Sequence, residues 1–187
     1  MIIGVFGISG VGKTTVCTNL QQNVTNVKRI SASDIIRTYG GLVDYEQLSS
    51  KNVDVNQLVL IEGVRALKIA NQNLTTPSIY LLELHNVLET PSGVQEVGVN
   101  IFRDLSLDLV TFLTKPAIDI AWQRQKDIKR ERVLSSVDEL EVLQQKAIQL
   151  FKVTFMTLDI PFEVITTNHY ENLLGIIERN YHSEMKG

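Results

Sequence analysis

The run Ile2-Ile3-Gly4-Val5-Phe6, followed at once by Gly7-Ile8-Ser9-Gly10-Val11-Gly12-Lys13-Thr14-Thr15, constrains this chain more than any other segment. A continuous apolar run ending at a glycine reads as a strand buried on both faces, the kind found in parallel sheets. The residues after it match GxxxxGK[ST], a pattern with meaning only between a strand and a helix. Its glycines reach backbone angles that turn successive N–H groups inward around an anion. The helix expected over residues 12–22 aims its positive end at the same point. Ser9, Gly10, Val11, Gly12, Lys13, Thr14 and Thr15 therefore form a candidate cradle for nucleotide phosphates. Within it Lys13 supplies a mobile charge for the outer phosphates and Thr14 a hydroxyl for Mg2+.

The apolar pattern beyond this point alternates between short strand-like runs and longer helical ones. Val27 to Ser31 reads as a second strand, with Asp34-Ile35-Ile36-Arg37 opening a helix. Residues 54–73 admit two readings, because Leu58-Val59-Leu60-Ile61 before Glu62-Gly63 resembles a strand ending in an acid. Helical spacing of Val55, Leu58, Val59, Val64, Leu67 and Ile69, with Asp54 as an N-cap, favours a helix. Ile79-Tyr80-Leu81-Leu82 makes the better third strand, and Pro77 marks its entrance. Leu109 to Leu113 is a fourth strand, ended by Lys115-Pro116. A long helix is expected from about 116 to 133. Ser136 and Glu139 form a capping box for the next helix, to about 157. Phe162 to Ile165 is the fifth strand, and a final helix begins near Asn168, three residues before Glu171. Five strands alternating with helices specify an α/β fold: three layers, with a five-stranded parallel sheet between helices.

Composition bounds the rest. At about 150 residues per domain, 187 residues make one domain, spanning 1–187. A domain of this size buries roughly 70% of its unfolded surface and needs no staple. The single Cys17 offers neither a disulfide nor a paired zinc motif. The formal net charge of −3 argues against general nucleic-acid or membrane-surface binding, both of which need positive charge. No apolar run approaches the roughly 18 residues of a membrane span. With no basic leader at Met1 the expectation is a cytoplasmic protein.

The phosphate cradle leaves several nucleotide-handling classes open. A DxxG acid and an NKxD motif for guanine are missing, as is an LSGGQ-like segment, and the length argues against an AAA-type core with a helical lid. A small phosphotransferase remains. The glycine-rich loop, together with Ile30-Ser31-Ala32-Ser33-Asp34-Ile35-Ile36-Arg37, resembles the opening of the adenylate kinases and related small-molecule kinases. That resemblance implies the P-loop NTPase fold of nucleotide kinases, with ATP and Mg2+ as cofactors. It also implies that Arg37 grips the acceptor's phosphate and that Asp34 faces the acceptor or Mg2+. A guanidinium suits a bidentate phosphate contact.

Ile79-Tyr80-Leu81-Leu82-Glu83-Leu84-His85 is similar to the third strand of some of these kinases, with Glu83 for Asp and Leu84 for Gly. Glu83 would then order a Mg2+-bound water and His85 contact the substrate; Glu62 is the competing acid. Five of the 18 basic residues fall between Arg124 and Arg132. Arg124, Asp127 and Arg130 share one helical stripe, where Asp127 would hold both guanidiniums. The cluster resembles the lid of nucleotide kinases, here about 122–136, whose arginines close over the phosphates. Arg124 and Arg130 are favoured over Arg132 as the inward pair. Cys17 reads as buried packing, Trp122 as core or hinge, and His169 and His182 as solvated. The loop Thr166-Thr167-Asn168 stands where related kinases wrap adenine.

Together these features describe an ATP-dependent phosphotransferase acting on a nucleotide, nucleoside or similar small metabolite, with Lys13, Asp34, Arg124 and Arg130 as the catalytic set. The alternative is a regulatory or assembly ATPase that hydrolyses slowly as a switch. The weakened acid of the third strand, Glu83 for Asp, and the short stretch between Arg37 and Asp54 favour that alternative, because adenylate kinases hold the acceptor nucleotide with a larger insertion there.

Overall fold

The computed structural model describes residues 1–41, 53–90, 93–126, 135–167 and 171–184. In chain order the first elements are β1 (Ile2–Phe6), α1 (Lys13–Asn23), β2 (Val27–Ser31), α2 (Ala32–Tyr39) and α3 (Val53–Gln72). There follow β3 (Ile79–Glu83), β4 (Val87–Thr90), β5 (Gly93–Glu96) and α4 (Val99–Leu105). The chain continues through β6 (Leu109–Thr114), α5 (Ala117–Lys126), α6 (Val137–Thr157), β7 (Phe162–Thr166) and α7 (Glu171–Glu184).

Five strands form one parallel sheet in the order β2-β3-β1-β6-β7. The strand that carries the glycine-rich loop is central, and all five of its residues are buried. The chain steps one way from β1 to β2, then back across the sheet through β3 and β6 to β7. Right-handed crossovers therefore place α1 on one face and α2 to α6 on the other. The aromatic core agrees with that division. All six phenylalanines join one cluster, in which Phe6 meets Phe102 of α4 and Phe151 and Phe155 of α6 at ring centroids 5.1–5.4 Å apart. Phe112 and Phe162 reach the same Phe151 from β6 and β7. Edge-on and tilted geometry of this kind adds favourable quadrupole contacts to the buried area.

Residues 54–73 are helical, because α3 lays Leu60, Ile61 and Val64 into the core. Gly63 is needed there: a Cβ would stand 2.3 Å from Ile35 Cγ2 and 2.9 Å from Tyr39 Cδ2, so α2 and α3 approach at a glycine. The capping box holds: Ser136 N donates to Glu139 Oε2 (2.7 Å) and Glu139 N donates to Ser136 Oγ (3.2 Å). Hydrogen bonding to Ser136, first from its backbone N–H and then from its side chain, holds the Glu139 carboxyl below its ordinary range. Buried amides tie elements together. Asn71 exchanges two hydrogen bonds with the backbone of Ser78, Gln144 two with that of Lys115, and Asn86 Nδ2 donates to Ala147 O.

Two elements were not foreseen. The β4–β5 hairpin stands outside the main sheet, with β5 exposed along its length, and α4 follows it. Helix α5 is described to Lys126, and residues 127–133 of the expected long helix lie outside the described residues. Among the described residues no helix is long and apolar enough to cross a membrane.

Phe151→Ala should remove the hub of the aromatic cluster and cost about 3–5 kcal/mol in urea unfolding. Ser136→Ala, which touches only the capping box, should cost about 1 kcal/mol by the same measurement.

Candidate nucleotide and phosphate site

The loop after β1 takes the shape its glycines permit. Gly7, Gly10 and Gly12 have φ of 143°, 86° and 107°, in the region that side chains disfavour. Gly12 is the N-cap of α1 and supplies no side-chain hydrogen bond, so the helix presents its first N–H groups uncapped by a side chain. Lys13 is buried, and its ammonium folds back to donate to Gly7 O (2.7 Å) and Ile8 O (3.3 Å). The positive charge thus lies against the start of the loop, which continues through Ser9, Gly10 and Val11. Thr14 and Thr15 are exposed on the first turn of α1.

Glu83 ends β3 beside this turn. Thr14 Oγ1 donates to Glu83 Oε2 (2.8 Å), and Arg29 Nε of β2 donates to the other oxygen. Glu62 instead sits exposed on α3, paired with Arg65 (2.7 Å). The departure from Asp at this position is accommodated, since the longer side chain reaches Thr14 with a second anchor. Sequence reasoning missed Arg29. Register would have found it, because β2 pairs with β3 so that Arg29 lies opposite Leu81, two residues before Glu83.

Ser31 is the N-cap of α2 and accepts from Asp34 N (3.0 Å), while its hydroxyl donates to Asp34 Oδ2 (2.7 Å). Asp34 also accepts from Arg37 (3.2 Å), and both members of that pair are about half exposed, at 44% and 49%. Such a pair is worth at most about 1 kcal/mol and is readily exchanged for a ligand. His85 is half-buried just beyond β3.

Arg124 lies on the loop. Asp127 and Arg130 lie outside the described residues, as does Arg132. Arg124 Nε donates to Ser9 O (2.9 Å), and its terminal nitrogens form a fork with Glu89 of β4 at 2.8 and 2.7 Å. Its stem packs on Gly10, where a Cβ would stand 2.9 Å from Arg124 Cγ. Gly10 therefore makes room for the arginine as well as shaping the loop.

Trp122 corrects its expectation as core. It is 64% exposed, with the Lys126 ammonium 3.4 Å from its ring centroid. Ile120 and Arg124 take the buried side of α5, and a residue two positions from either points away. Thr167 lies over Gly12, its Cγ2 3.9 Å from where a Cβ would be, and its buried Oγ1 has no partner among the described residues. Asn168 and His169 lie outside the described residues. A cavity of about 320 Å³ opens nearby between the ends of β6 and β7 and helix α6, lined by Lys115, Gln144 and Thr166 among others. Among the described residues no group of three or more His, Cys, Asp or Glu is placed to hold a metal. Thr14 and Glu83 nevertheless suit Mg2+: the threonine proton points to the acid, leaving hydroxyl lone pairs of the hard oxygen type that Mg2+ prefers.

Residues 6–141 match a family model described as an AAA domain. The length argument against an AAA-type core is corrected by this match, since it addressed a separate helical lid and the match is to the loop-bearing core. No curated protein matches significantly. Among solved structures, a shikimate kinase from Aquifex aeolicus vf5 superposes with a TM-score of 0.59 at 13% identity, covering 97% of this chain and 98% of that one. A shikimate kinase from Acinetobacter baumannii in complex with shikimate gives 0.57 at 13%, covering 96% and 93%. The fold is that of the P-loop small-molecule kinases.

Cys17 lies beneath the loop, fully buried, and burial followed by the nearby Glu83 charge pushes its thiol far up. It should resist iodoacetamide at pH 8 in the native protein and react fully once the chain is unfolded, as read by intact mass.

Proposed function

The chain belongs to the AAA domain family matched over residues 6–141, and from that premise we propose that it is an ATP-dependent kinase of a small metabolite. The observation that carries this reading is the meeting of Lys13, Thr14 and Glu83 at the end of the central strands. A loop that already encloses a lysine, beside a hydroxyl paired to a buried acid, suits phosphoryl transfer. That reaction asks for positioning and charge stabilisation more than for covalent chemistry.

Lys13 would leave its loop carbonyls for the outer phosphates, and the backbone of residues 9–15 would hold the inner ones. Thr14 would hold Mg2+ through its hydroxyl oxygen, with Glu83 accepting that hydroxyl's hydrogen bond and ordering a metal-bound water. The ion would supply positive charge to offset that of the phosphates. Asp34 and Arg37 would face the acceptor: the exposed guanidinium would take an anionic group and the carboxylate would orient the attacking hydroxyl. His85 would line the acceptor side. Arg124, with Arg130 of the lid proposed at about 122–136, would stabilise charge on the moving phosphoryl group. Thr167, with its unpartnered hydroxyl oxygen beside Gly12, suits a contact to the nucleoside end. The short stretch between α2 and α3 favours a compact acceptor over a nucleoside monophosphate. The likeness to a kinase holding shikimate supports the same choice.

The test is ATP turnover against small hydroxy acids including shikimate, sugars, nucleosides and nucleoside monophosphates. One class should stimulate ADP release, and Lys13→Ala should lower the stimulated rate by about 10²-fold or more. Slow hydrolysis indifferent to every acceptor, but accelerated by a protein partner, would select the regulatory ATPase instead.

A further inference from the structure

Three of the five donors of Arg124 are committed within the protein. Nε is spent on the loop carbonyl of Ser9. The two terminal nitrogens form a parallel fork with the Glu89 carboxylate, the geometry in which arginine takes a phosphate. The guanidinium side chain is 5% exposed and Glu89 31%, so the carboxylate approaches from the solvent side. With Glu89 in place the pair is neutral, and it offers the triphosphate no net charge.

The element that brings Glu89 there stands apart from the main sheet. β4 and β5 pair only with each other in the sheet topology, and β5 is exposed throughout. The root is fixed: Asn86 Nδ2 donates to Ala147 O, and Val97 N donates to Asn86 O. Glu96, at the end of β5, adds an exposed pair with Lys146 (2.9 Å). Glu89 lies toward the tip, beyond that anchor.

The geometry points to a nucleotide-responsive strap: the Glu89 carboxylate occupies the anion fork of Arg124, and an incoming phosphate displaces it and releases the β4–β5 hairpin. This rests on the phosphate-site reading above and adds its regulation. A ligand shifts such an equilibrium only by its differential affinity for the two states. Here the difference is explicit, since a phosphate near Arg124 meets a carboxylate in the held state and an unneutralised guanidinium in the released one. Whatever retains the hairpin by binding Glu89 or the outer face of β5 would hold nucleotide off. Whatever draws the hairpin away would favour nucleotide.

Two measurements test it, one of which needs no variant. Amide hydrogen exchange of residues 87–96 in the wild-type protein should speed up when a non-hydrolysable ATP analogue with Mg2+ is added. Glu89→Gln keeps an acceptor oxygen but removes the charge, and should bind the same analogue about five- to tenfold more tightly by titration calorimetry, with hairpin exchange already fast. Thermal melting of Glu89→Gln shows that it is folded at the assay temperature. Binding by the wild type with slower hairpin exchange, or unchanged or weaker binding by Glu89→Gln, overturns the strap and leaves the phosphate site standing. Binding by Glu89→Gln alone supports a strap that is almost always closed. Binding by neither overturns the strap and the phosphate-site reading together.

Discussion

A strand must become a helix within six residues, with an ammonium folded into the turn. Everything near the site follows from that requirement. Three loop glycines adopt left-handed backbone, and two of them are also places where something else comes close. A Cβ on Gly7 would press on Val11 Cγ1 and on the carbonyl of Leu113, and one on Gly10 would press on Arg124. The loop is therefore sandwiched: the adjacent strand β6 supports it from beneath and α5 lies over it. Because β1 is central and fully buried, the loop is fixed to the stiffest part of the sheet. A phosphate site needs donors already in place, and a central strand supplies that rigidity without a disulfide or a metal.

Among the described residues, four cations around the loop are engaged. Lys13 is bound by two carbonyls, Arg29 by Glu83, Arg124 by Glu89 and Arg37 by Asp34. A buried arginine without a partner is expensive, and for Arg124, 5% exposed, Glu89 offsets that cost. The pairings also mean that an anion reaching any of these guanidiniums would do so by exchange. Each pair sets a different threshold: the half-exposed Asp34–Arg37 pair yields most readily, the neutral carbonyl partners of Lys13 oppose no anion, and the forked Glu89–Arg124 pair resists most. The slight net negative charge of the chain agrees with a small ligand drawn to a local site and not with a long polyanion held over a surface.

Much of this was legible in the residues. The glycine-rich loop, the capping box at Ser136 and the five parallel strands each rest on local patterns whose physical basis is short-range. Helix spacing across 54–73 outweighed a strand-like tetrapeptide because Leu60, Ile61 and Val64 needed one face over several turns. What the residues did not show depends on contacts distant in the chain. Glu89 and Arg124 are 35 positions apart and Arg29 and Glu83 are 54 apart, and no local pattern marks such pairs. Trp122 misled because its bulk suggests burial, whereas helical phase gave the inward side to Ile120 and Arg124. The hairpin was missed for a related reason: β4 and β5 are four residues each, with neither the length nor the full alternation that marks a strand.

Glu83 shows how a departure from a familiar pattern can be absorbed. Glutamate has one more rotatable bond than aspartate, so by itself it would lose more freedom in reaching Thr14 and would hold the hydroxyl less firmly. In this fold the additional reach ends between two donors, one from α1 and one from the edge strand β2. The register of β2 on β3 sets Arg29 and Ser31 on either side of Ile30, with Ser31 opposite Glu83 itself. The same short strand therefore anchors the acid with its third residue and caps α2 with its fifth. A shift of β2 by one residue would turn Arg29 to the opposite face and leave Glu83 buried with a single partner. The substitution at position 83 is coupled to the pairing of the edge strand, and the two belong to one structural solution.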